Sequence, residues 1–283
     1  MNLEQAALCE KLEKTLGNLI LGEGKLFEAA RYSIFTGGKR SRPLITLFSA
    51  LDLGGKTEEA LIPAACLEMV HTYSLIHDDL PCMDDDDYRR GKPTLHKVTD
   101  ESTAVLTGDY LLTRAFECLA QYVPSQTALS YIRILSDAAG GEGMIGGQVL
   151  DLSYENQTIQ FTQLKEMHLL KTGRLIQAAL QFGGIAAEAS DAVLEQLHDL
   201  GAHLGLAVQI LNDLEDIDEG VLSDQQKGKA TYVSLLGYEG AQEAYSQEIE
   251  KANSLMEQIP LTGGRLRAFL TQVYPALQHS CTR

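Results

Sequence analysis

Carboxylates are concentrated in one short stretch of the sequence, directly before two arginines. The ten residues from Asp78 to Asp87 include six aspartates. Acids at this density repel one another unless cations neutralise them, and Mg²⁺ takes oxygen ligands while bridging carboxylates to substrate phosphates. Arg89 and Arg90 follow at once and suit phosphate oxygens. Acids for a metal beside arginines for phosphate predict a metal–diphosphate site, although a charge run alone would also fit a solvated loop.

The acidic run begins inside a helical pattern that a proline then ends. His71, Ser74 and Asp78 fall on one helix face, at steps of three and four residues. Pro81 lacks an N–H and clashes with the carbonyl four residues earlier, so it kinks or ends the helix at the acids. In an unbroken helix Asp78 and Asp84 would lie about 120° apart, and the break can bring Asp84 back beside Asp78.

A second group of polar side chains lies along one face of a later predicted helix. Its members are Gln209, Asn212, Asp213 and Asp216. The other side of this helix is apolar, as expected for a helix packed on a core. Alone, this motif fits an exposed helix end equally well. Together with the first acidic cluster it indicates two helices that face each other across a metal-filled cavity.

Basic residues supply possible phosphate ligands outside the acidic run. Lys39, Arg40 and Arg42 follow two glycines and precede a predicted helix start at Pro43, where helix N–H groups would add to an anion site. An ordinary turn with surface bases is the alternative. The segment 219–230, which includes Lys229, is polar and aperiodic, and we expect it to be a mobile loop. It does not match the phosphate-binding loop of nucleotide-binding proteins.

Helical periodicity dominates the elements that must position these residues. Alternating apolar and polar runs, which are typical of strands, are absent from the sequence. We predict helices at about 2–17, 23–36, 42–52, 57–80, 97–120, 125–150, 160–183, 190–218, 231–258 and 263–279. Because no change of composition or low-complexity linker interrupts the chain, we expect one all-α domain over residues 1–283.

Composition excludes several classes of protein. The net charge of −16 argues against binding to nucleic acid or to an anionic membrane. No apolar stretch approaches the length of a membrane span, and the first residues do not resemble a secretory signal. The five cysteines include no C-x-x-C pair, and we interpret them as reduced thiols of a cytoplasmic protein: Cys9, Cys66, Cys82, Cys118 and Cys281.

The acidic run and its flanks, His71–Asp84 and Arg89–Thr94, closely resemble the first aspartate-rich motif of trans-isoprenyl diphosphate synthases, in its bacterial form. The similarity continues in the same order through Gly38–Pro43, Gly147-Gln148 with Asp151, Lys171–Gly173, Gln209–Asp216 and Gly228–Tyr232. This resemblance implies a single-domain isoprenoid synthase fold, an all-α helical bundle around a central cavity. It also implies a homodimer.

The resemblance further implies head-to-tail condensation of isopentenyl diphosphate with dimethylallyl or geranyl diphosphate, assisted by two to three Mg²⁺ ions. The implied metal ligands are Asp78, Asp79, Asp84, Asp213 and Asp216. The implied isopentenyl diphosphate ligands are Lys39, Arg42, His71 and Arg90. Arg89 would grip the allylic diphosphate. The implied catalytic residues, which add positive charge or line the region of the allylic cation, are Lys171, Lys229, Thr172 and Gln209.

Product length depends on two residues of the first acidic helix, Tyr73 and Ser74. Tyr73 lies five residues before Asp78, about 7.5 Å along the helix, where a bulky ring could close the cavity floor. Family members with an aromatic residue here resemble farnesyl diphosphate synthases. The sequence therefore favours the C15 product (2E,6E)-farnesyl diphosphate, with geranylgeranyl diphosphate as the alternative.

The second motif departs from the family at its first position. Asn212 stands where these enzymes have an aspartate that binds a third Mg²⁺, and a catalytically weak regulatory homologue is therefore an alternative. A class I terpene cyclase shares the helical fold and the acidic motif. Its second motif would need Ser or Thr in place of Asp216 and Glu in place of Gly220, so that match fails.

Overall fold

Helices account for nearly all regular structure in the computed structural model, which describes residues 2–218 and 228–277. The helices are α1 (Leu3–Leu19), α2 (Lys25–Ile34), α3 (Ser41–Asp52), α4 (Thr57–Asp78), α5 (Leu95–Val98), α6 (Glu101–Tyr122), α7 (Ser125–Ala139), α8 (Met144–Tyr154), α9 (Phe161–His168), α10 (Arg174–Ala186), α11 (Asp191–Asp218), α12 (Tyr232–Gln258) and α13 (Arg265–Val273). A π-helical turn, Leu169–Gly173, joins α9 to α10. The predicted all-α class is confirmed.

Two of the predicted helices are broken in the structure. The helix predicted over 97–120 is replaced by α5 and α6, because the Asp100 carboxylate accepts from the backbone N–H of Thr103 at 2.8 Å and so starts a new helix. The helix predicted over 125–150 is interrupted at residues 140–143, where three of the four residues are glycines. Residues 219–227 of the predicted mobile loop, and Cys281, lie outside the described residues.

A short hairpin follows the acidic run, and the sequence reading missed it. Strands β1 (Tyr88–Arg89) and β2 (Lys92–Pro93) pair antiparallel, so Arg90 and Gly91 form a two-residue turn. Both turn residues have positive φ, 54° and 74°, which matches the twist that tight hairpins require. The hairpin fixes the backbone positions from which the side chains of Arg89 and Arg90 project.

The first of two compact units comprises Met1–Leu47 and Lys56–Arg133. Its centre is α4, which packs against α6, α1 and α2. Small buried residues on α4, such as Ala64 and Ala65, let the neighbouring helices approach closely. Each fully buried leucine in this core contributes roughly 1.5–3 kcal/mol through removal of apolar surface from water. The unit therefore holds the C-terminal end of α4, which carries the acidic run, on a rigid support.

The second unit comprises Phe48–Gly55 and Ile134–Arg283. Its centre is α11, which packs against α10, α12 and the π-helical turn. A Cβ on Gly205 would lie 2.3 Å from the Cα of Gly173, so only glycine permits this approach of α11 to the turn. The assignment of all 283 residues to one domain stays a prediction. Among the helices of the described residues, none combines the length and apolar character needed to span a bilayer.

Candidate active site

The chain turns back immediately after α4, as the position of Pro81 predicts. The backbone N–H of Asp84 donates to the carbonyl of Asp78 at 2.9 Å, and that of Asp85 donates to Leu80 at 3.1 Å. Asp84 therefore lies next to Asp78, with both residues partly exposed. Aspartates whose backbones meet at the end of a helix supply oxygen ligands of the hard type that Mg²⁺ prefers.

Asp79 differs from Asp78 because its carboxylate is buried and bonded to an arginine. Its Oδ1 accepts from Nε of Arg89 at 2.7 Å and from Nη2 at 2.6 Å. Burial raises the pKa of Asp79, although the bond to Arg89 opposes that rise. Asp79 thus orients Arg89, the residue predicted to grip the allylic diphosphate. The metal role predicted for Asp79 stays a prediction.

Two residues of the acidic run and a later histidine bring possible metal ligands together. Asp85, Asp87 and His96 each offer one ligand atom, and these atoms lie within 4.8 Å of one another. The carboxylate of Asp87 also lies 2.7 Å from Nζ of Lys97, which already neutralises its charge. The sequence reading did not single out this group.

All four residues predicted to bind isopentenyl diphosphate line one pocket of about 310 Å³ in the first unit. The lining residues are Gly38, Lys39, Arg40, Ser41, Arg42, Glu68, His71 and Arg90. This pocket is strongly basic in a protein whose net charge is −16. A cluster of three predicted cationic ligands and one histidine suits a polyanion such as a diphosphate.

His71 is held neutral inside this pocket. Nη1 of Arg42 lies 3.2 Å from Nε2 of His71. Burial, reinforced by the charge of Arg42 and of further arginines, lowers the pKa of His71 well below its usual range. Since the guanidinium can only donate, Nε2 is the acceptor and the ring proton lies on Nδ1. His71 therefore orients Arg42 without adding a charge of its own.

Tyr73 and Ser74, the two residues predicted to set chain length, occupy different environments on α4. Tyr73 is 5% exposed, and its ring meets His77 edge to face at a centroid distance of 5.7 Å. Burial, with a contribution from Asp78, raises the pKa of Tyr73 to about 12. The Ser74 hydroxyl donates to the carbonyl of His71 at 2.8 Å, so it is bonded within its own helix.

In the second unit, one carboxylate holds two of the predicted catalytic lysines. Oδ2 of Asp151 accepts from Nζ of Lys171 at 2.6 Å and from Nζ of Lys229 at 3.1 Å. Burial alone would raise the pKa of Asp151, but the two lysines outweigh it and lower that pKa. The sequence reading quoted Asp151 in a motif but gave it no role. The structure places it at the centre of this basic site.

The π-helical turn and a neighbouring glycine explain how Lys171 reaches Asp151. Lys171 and Thr172 lie in the turn, and such turns occur frequently at functional sites. A Cβ on Gly147 of α8 would lie 2.2 Å from the backbone nitrogen of Lys171. Gly147 therefore lets α8, which carries Asp151, pack directly on the turn. The Gly-Gly-Gln sequence before Asp151 is the signal that could have identified this contact.

Gln209 is oriented by a buried histidine. Nε2 of Gln209 lies 3.1 Å from Nδ1 of His168, and the His168 ring stacks on Tyr232 at 5.5 Å. Burial lowers the pKa of His168 to about 4, so the ring is neutral at pH 7. A neutral ring can accept the Gln209 amide proton at Nδ1, which directs the Gln209 carbonyl oxygen away from His168.

The residues of the second acidic motif differ in exposure along α11. Asp213 is buried, and its Oδ2 accepts from the backbone N–H of Tyr232, the first residue of α12, at 2.7 Å. Asp216 is partly exposed and Asn212 is exposed. Asp213 thus fixes the start of α12 just after the segment that carries Lys229. The metal roles of Asp213 and Asp216 stay predictions.

Comparisons with known proteins identify the family of this chain. A family model described as polyprenyl synthetase matches residues 23–260. A farnesyl diphosphate synthase from Micrococcus luteus is 41% identical over 269 residues, which cover 92% of each chain. An FPP/GFPP synthase structure from Zymomonas mobilis has a TM-score of 0.86 at 32% identity, covering 97% of this chain and 98% of that chain.

A further solved structure, a geranyltransferase from Helicobacter pylori in complex with magnesium and isoprenyl diphosphate, has a TM-score of 0.83 at 34% identity and covers 96% of both chains. The predicted resemblance to trans-isoprenyl diphosphate synthases is confirmed by the family match and by these relatives. The chain therefore belongs to the polyprenyl synthetase family of prenyltransferases.

Proposed function

We propose that this prenyltransferase is a Mg²⁺-dependent, short-chain enzyme that condenses isopentenyl diphosphate head-to-tail with dimethylallyl or geranyl diphosphate. The observation that carries this proposal is the basic pocket of about 310 Å³, which is lined by Lys39, Arg42, His71 and Arg90. A reaction between two diphosphates needs a cationic pocket for the substrate that keeps its diphosphate. A terpene cyclase, which uses one substrate, has no such need.

In this proposal the acidic residues hold two to three Mg²⁺ ions on the allylic diphosphate. The backbones of Asp78 and Asp84 meet after α4, and both residues would offer hard oxygen ligands. Asp213 and Asp216 supply the second set, with Asp79 acting on the same diphosphate through Arg89. When bound, the ions stabilise the negative charge of the departing diphosphate. The Helicobacter pylori relative, which was solved with magnesium and isoprenyl diphosphate, supports this assignment.

The side chains then have separate tasks in the reaction. Arg89, Lys171 and Lys229 stabilise the diphosphate as the allylic carbon–oxygen bond breaks. The Thr172 hydroxyl and the Gln209 carbonyl oxygen line the region of the allylic cation. The double bond of isopentenyl diphosphate attacks that cation, and a carbon–carbon bond forms that leaves the positive charge on the isopentenyl unit. The carbon next to that charge loses a proton to the departed diphosphate, and the C–H electron pair forms the new double bond. The reaction requires a site that excludes water, which would otherwise capture the cation.

We further propose (2E,6E)-farnesyl diphosphate as the product. The buried ring of Tyr73, with Ser74 beside it, limits the length of the prenyl chain. The Micrococcus luteus relative bears the name farnesyl diphosphate synthase. Geranylgeranyl diphosphate is the alternative product, and Asn212 keeps a catalytically weak regulatory homologue as the second alternative. We also propose that the protein is a cytoplasmic homodimer.

Incubation of the purified protein with labelled isopentenyl diphosphate and an allylic primer tests this proposal. Dimethylallyl and geranyl diphosphate should both be converted to a C15 diphosphate with Mg²⁺, and product formation should stop with excess EDTA. A C20 product would favour the geranylgeranyl alternative. Absence of any condensation would favour the regulatory homologue. A cyclic hydrocarbon formed without isopentenyl diphosphate would indicate a cyclase.

A further inference from the structure

The loop between α2 and α3 has a strained backbone beside the basic pocket. Gly37, Gly38 and Arg40 have φ values of 103°, 129° and 49°. The first two suit glycine, but a residue with a side chain in the left-handed region costs about 1 kcal/mol or more. Side-chain contacts of Arg40 must therefore offset this cost.

Arg40 is turned inward, where its guanidinium joins three helices. Nε and Nη2 donate to Oε1 of Glu13 on α1 at 2.8 and 2.7 Å. Nη1 donates to Oε1 of Glu68 on α4 at 2.7 Å, and Nη2 also donates to the carbonyl of Ile34 at the end of α2 at 2.6 Å. Only 4% of the Arg40 side chain is exposed. Each of its three nitrogens is thus bonded to protein oxygen.

Lys39 and Arg42, the cationic neighbours of Arg40 in the sequence, lie in the basic pocket. Lys39 is exposed and lines the basic pocket, and Arg42 lies against His71 in the same pocket. The guanidinium of Arg90 donates to the carbonyl of Gly37. The loop that Arg40 anchors therefore determines the positions of three cations that face the pocket.

Arg40 also neutralises the negative charge of Glu68 in the basic pocket. Glu68 lines the basic pocket and is 2% exposed, and its carboxylate accepts from Nη1 of Arg40 at 2.7 Å. A buried carboxylate left without that partner would be costly in itself, and it would repel a diphosphate in the pocket. The Arg40 guanidinium therefore anchors the loop beside the pocket and also neutralises Glu68.

We infer that Arg40 is a positioning residue for isopentenyl diphosphate, acting through the loop and through Glu68 rather than as a diphosphate ligand. This inference rests on the proposed function. It separates Arg40 from Lys39 and Arg42, with which it shares a motif. We expect loss of Arg40 to affect one substrate selectively, because the arginine bonds to Glu68, which lines the isopentenyl pocket, and anchors the loop that carries Lys39.

The test compares Arg40→Gln with wild type in assays that vary each substrate at saturating levels of the other. The KM for isopentenyl diphosphate should rise about 10- to 100-fold, whereas the KM for geranyl diphosphate and kcat should change by less than about threefold. In the double variant Arg40→Gln/Glu68→Gln the unpaired carboxylate is gone. Its KM for isopentenyl diphosphate should therefore be at least about threefold lower than that of the single variant.

Arg114→Gln is the matched control. Arg114 is also a largely buried arginine of the first unit, bonded to Glu117 at 2.8 Å and to the carbonyl of Leu19 at 2.9 Å, but it does not line the pocket. The Arg114→Gln variant should have a lower Tm than wild type, without a selective change in the KM for isopentenyl diphosphate. If Arg40→Gln does not fold, Arg40→Lys keeps the charge with fewer donors and should show a smaller rise in the same KM.

Three results would overturn the inference: an unchanged KM for isopentenyl diphosphate in a folded Arg40 variant, an equal rise in both KM values, or the same selective rise in Arg114→Gln. A double variant no better than the single variant would contradict the role of Glu68. A wild-type protein that forms no prenyl product would instead contradict the proposed function, so the two failures are distinguishable.

Discussion

The ammonium groups of Lys171 and Lys229 both donate to one oxygen, Oδ2 of Asp151, at 2.6 and 3.1 Å. The two lysines are far apart in the sequence, yet both ammonium groups contact the same oxygen atom. Two positive charges this close together would repel each other strongly without a carboxylate between them. Asp151 is buried, so its charge is little screened by water. It therefore holds the two ammonium groups close together, as the proposed binding of an anionic diphosphate requires.

Replacement of Asp151 by Asn should remove this restraint. The lysines would move apart, and kcat/KM for the allylic diphosphate should fall about 100-fold, the lower end of the range for loss of one preorganised donor. Asp52→Asn is the control, because Asp52 is a buried acid of the same unit that accepts from the Leu266 backbone N–H at 2.9 Å. That variant should lose stability but keep its kinetic constants. Wild-type kinetics in Asp151→Asn would contradict the prediction.

Truncation of Tyr73 should lengthen the product. Tyr73→Ala removes a buried ring from α4, and we expect C20 or longer diphosphates when the products are separated by chromatography. Tyr73→Phe is the matched control. It keeps the ring and deletes only a hydroxyl for which the described residues provide no hydrogen-bond partner, so the C15 product should persist. An unchanged C15 product from Tyr73→Ala would show that Tyr73 is merely part of the core.

His168 should make the folded state sensitive to mild acid. Its pKa is about 4 in the folded protein and near 6.5 when unfolded, so it contributes no pH dependence above about pH 6.5. As the pH falls toward 4, the unfolded state binds a proton that the folded state excludes, and stability is lost. The loss at pH 5 should be about 2 kcal/mol. His168→Gln, which does not titrate, should show a smaller drop in Tm between pH 7 and pH 5. Parallel pH profiles would contradict this account.

Introduction of a carboxylate into the second acidic motif should change the Mg²⁺ dependence of the reaction. Asn212 is exposed on α11 next to the buried Asp213, so a carboxylate could be introduced there without disturbing the core. Asn212→Asp should lower the Mg²⁺ concentration for half-maximal activity about threefold to tenfold, because an amide is a weaker ligand than a carboxylate. Asn18→Asp adds the same charge to an exposed position of α1 and should leave the Mg²⁺ dependence unchanged. If both variants behave alike, the effect is one of net charge.

The sequence predicted those features that depend on local geometry. The break at Pro81 follows from steric rules and correctly brings Asp84 beside Asp78. Lys39, Arg42, His71 and Arg90, which the family resemblance groups together, line one pocket in the structure, and their role in binding isopentenyl diphosphate stays a prediction. The all-α class followed from periodicity, since packed helices require an apolar face.

The features that the sequence did not reveal depend on distant partners. Arg40 looks like its neighbours Lys39 and Arg42, and the two carboxylates that hold it inward, Glu13 and Glu68, lie 27 and 28 residues away. Asp151 gains its role from two lysines on other elements. The hairpin turn was missed because its first residue is Arg90, whereas the usual signal for such a turn is Asn or Asp before glycine.

The π-helical turn at Leu169–Gly173 also sets the rotational phase of the helices it joins. A π turn accommodates about one residue more than an α turn, so the buried stripe of α10 is offset by roughly 100° from the stripe that α9 would continue. Deletion of one residue here would restore a continuous α-helix and rotate one stripe toward water. The length of this segment is therefore as constrained as its chemistry, and insertions or deletions should be tolerated far less there than substitutions at its partly exposed positions.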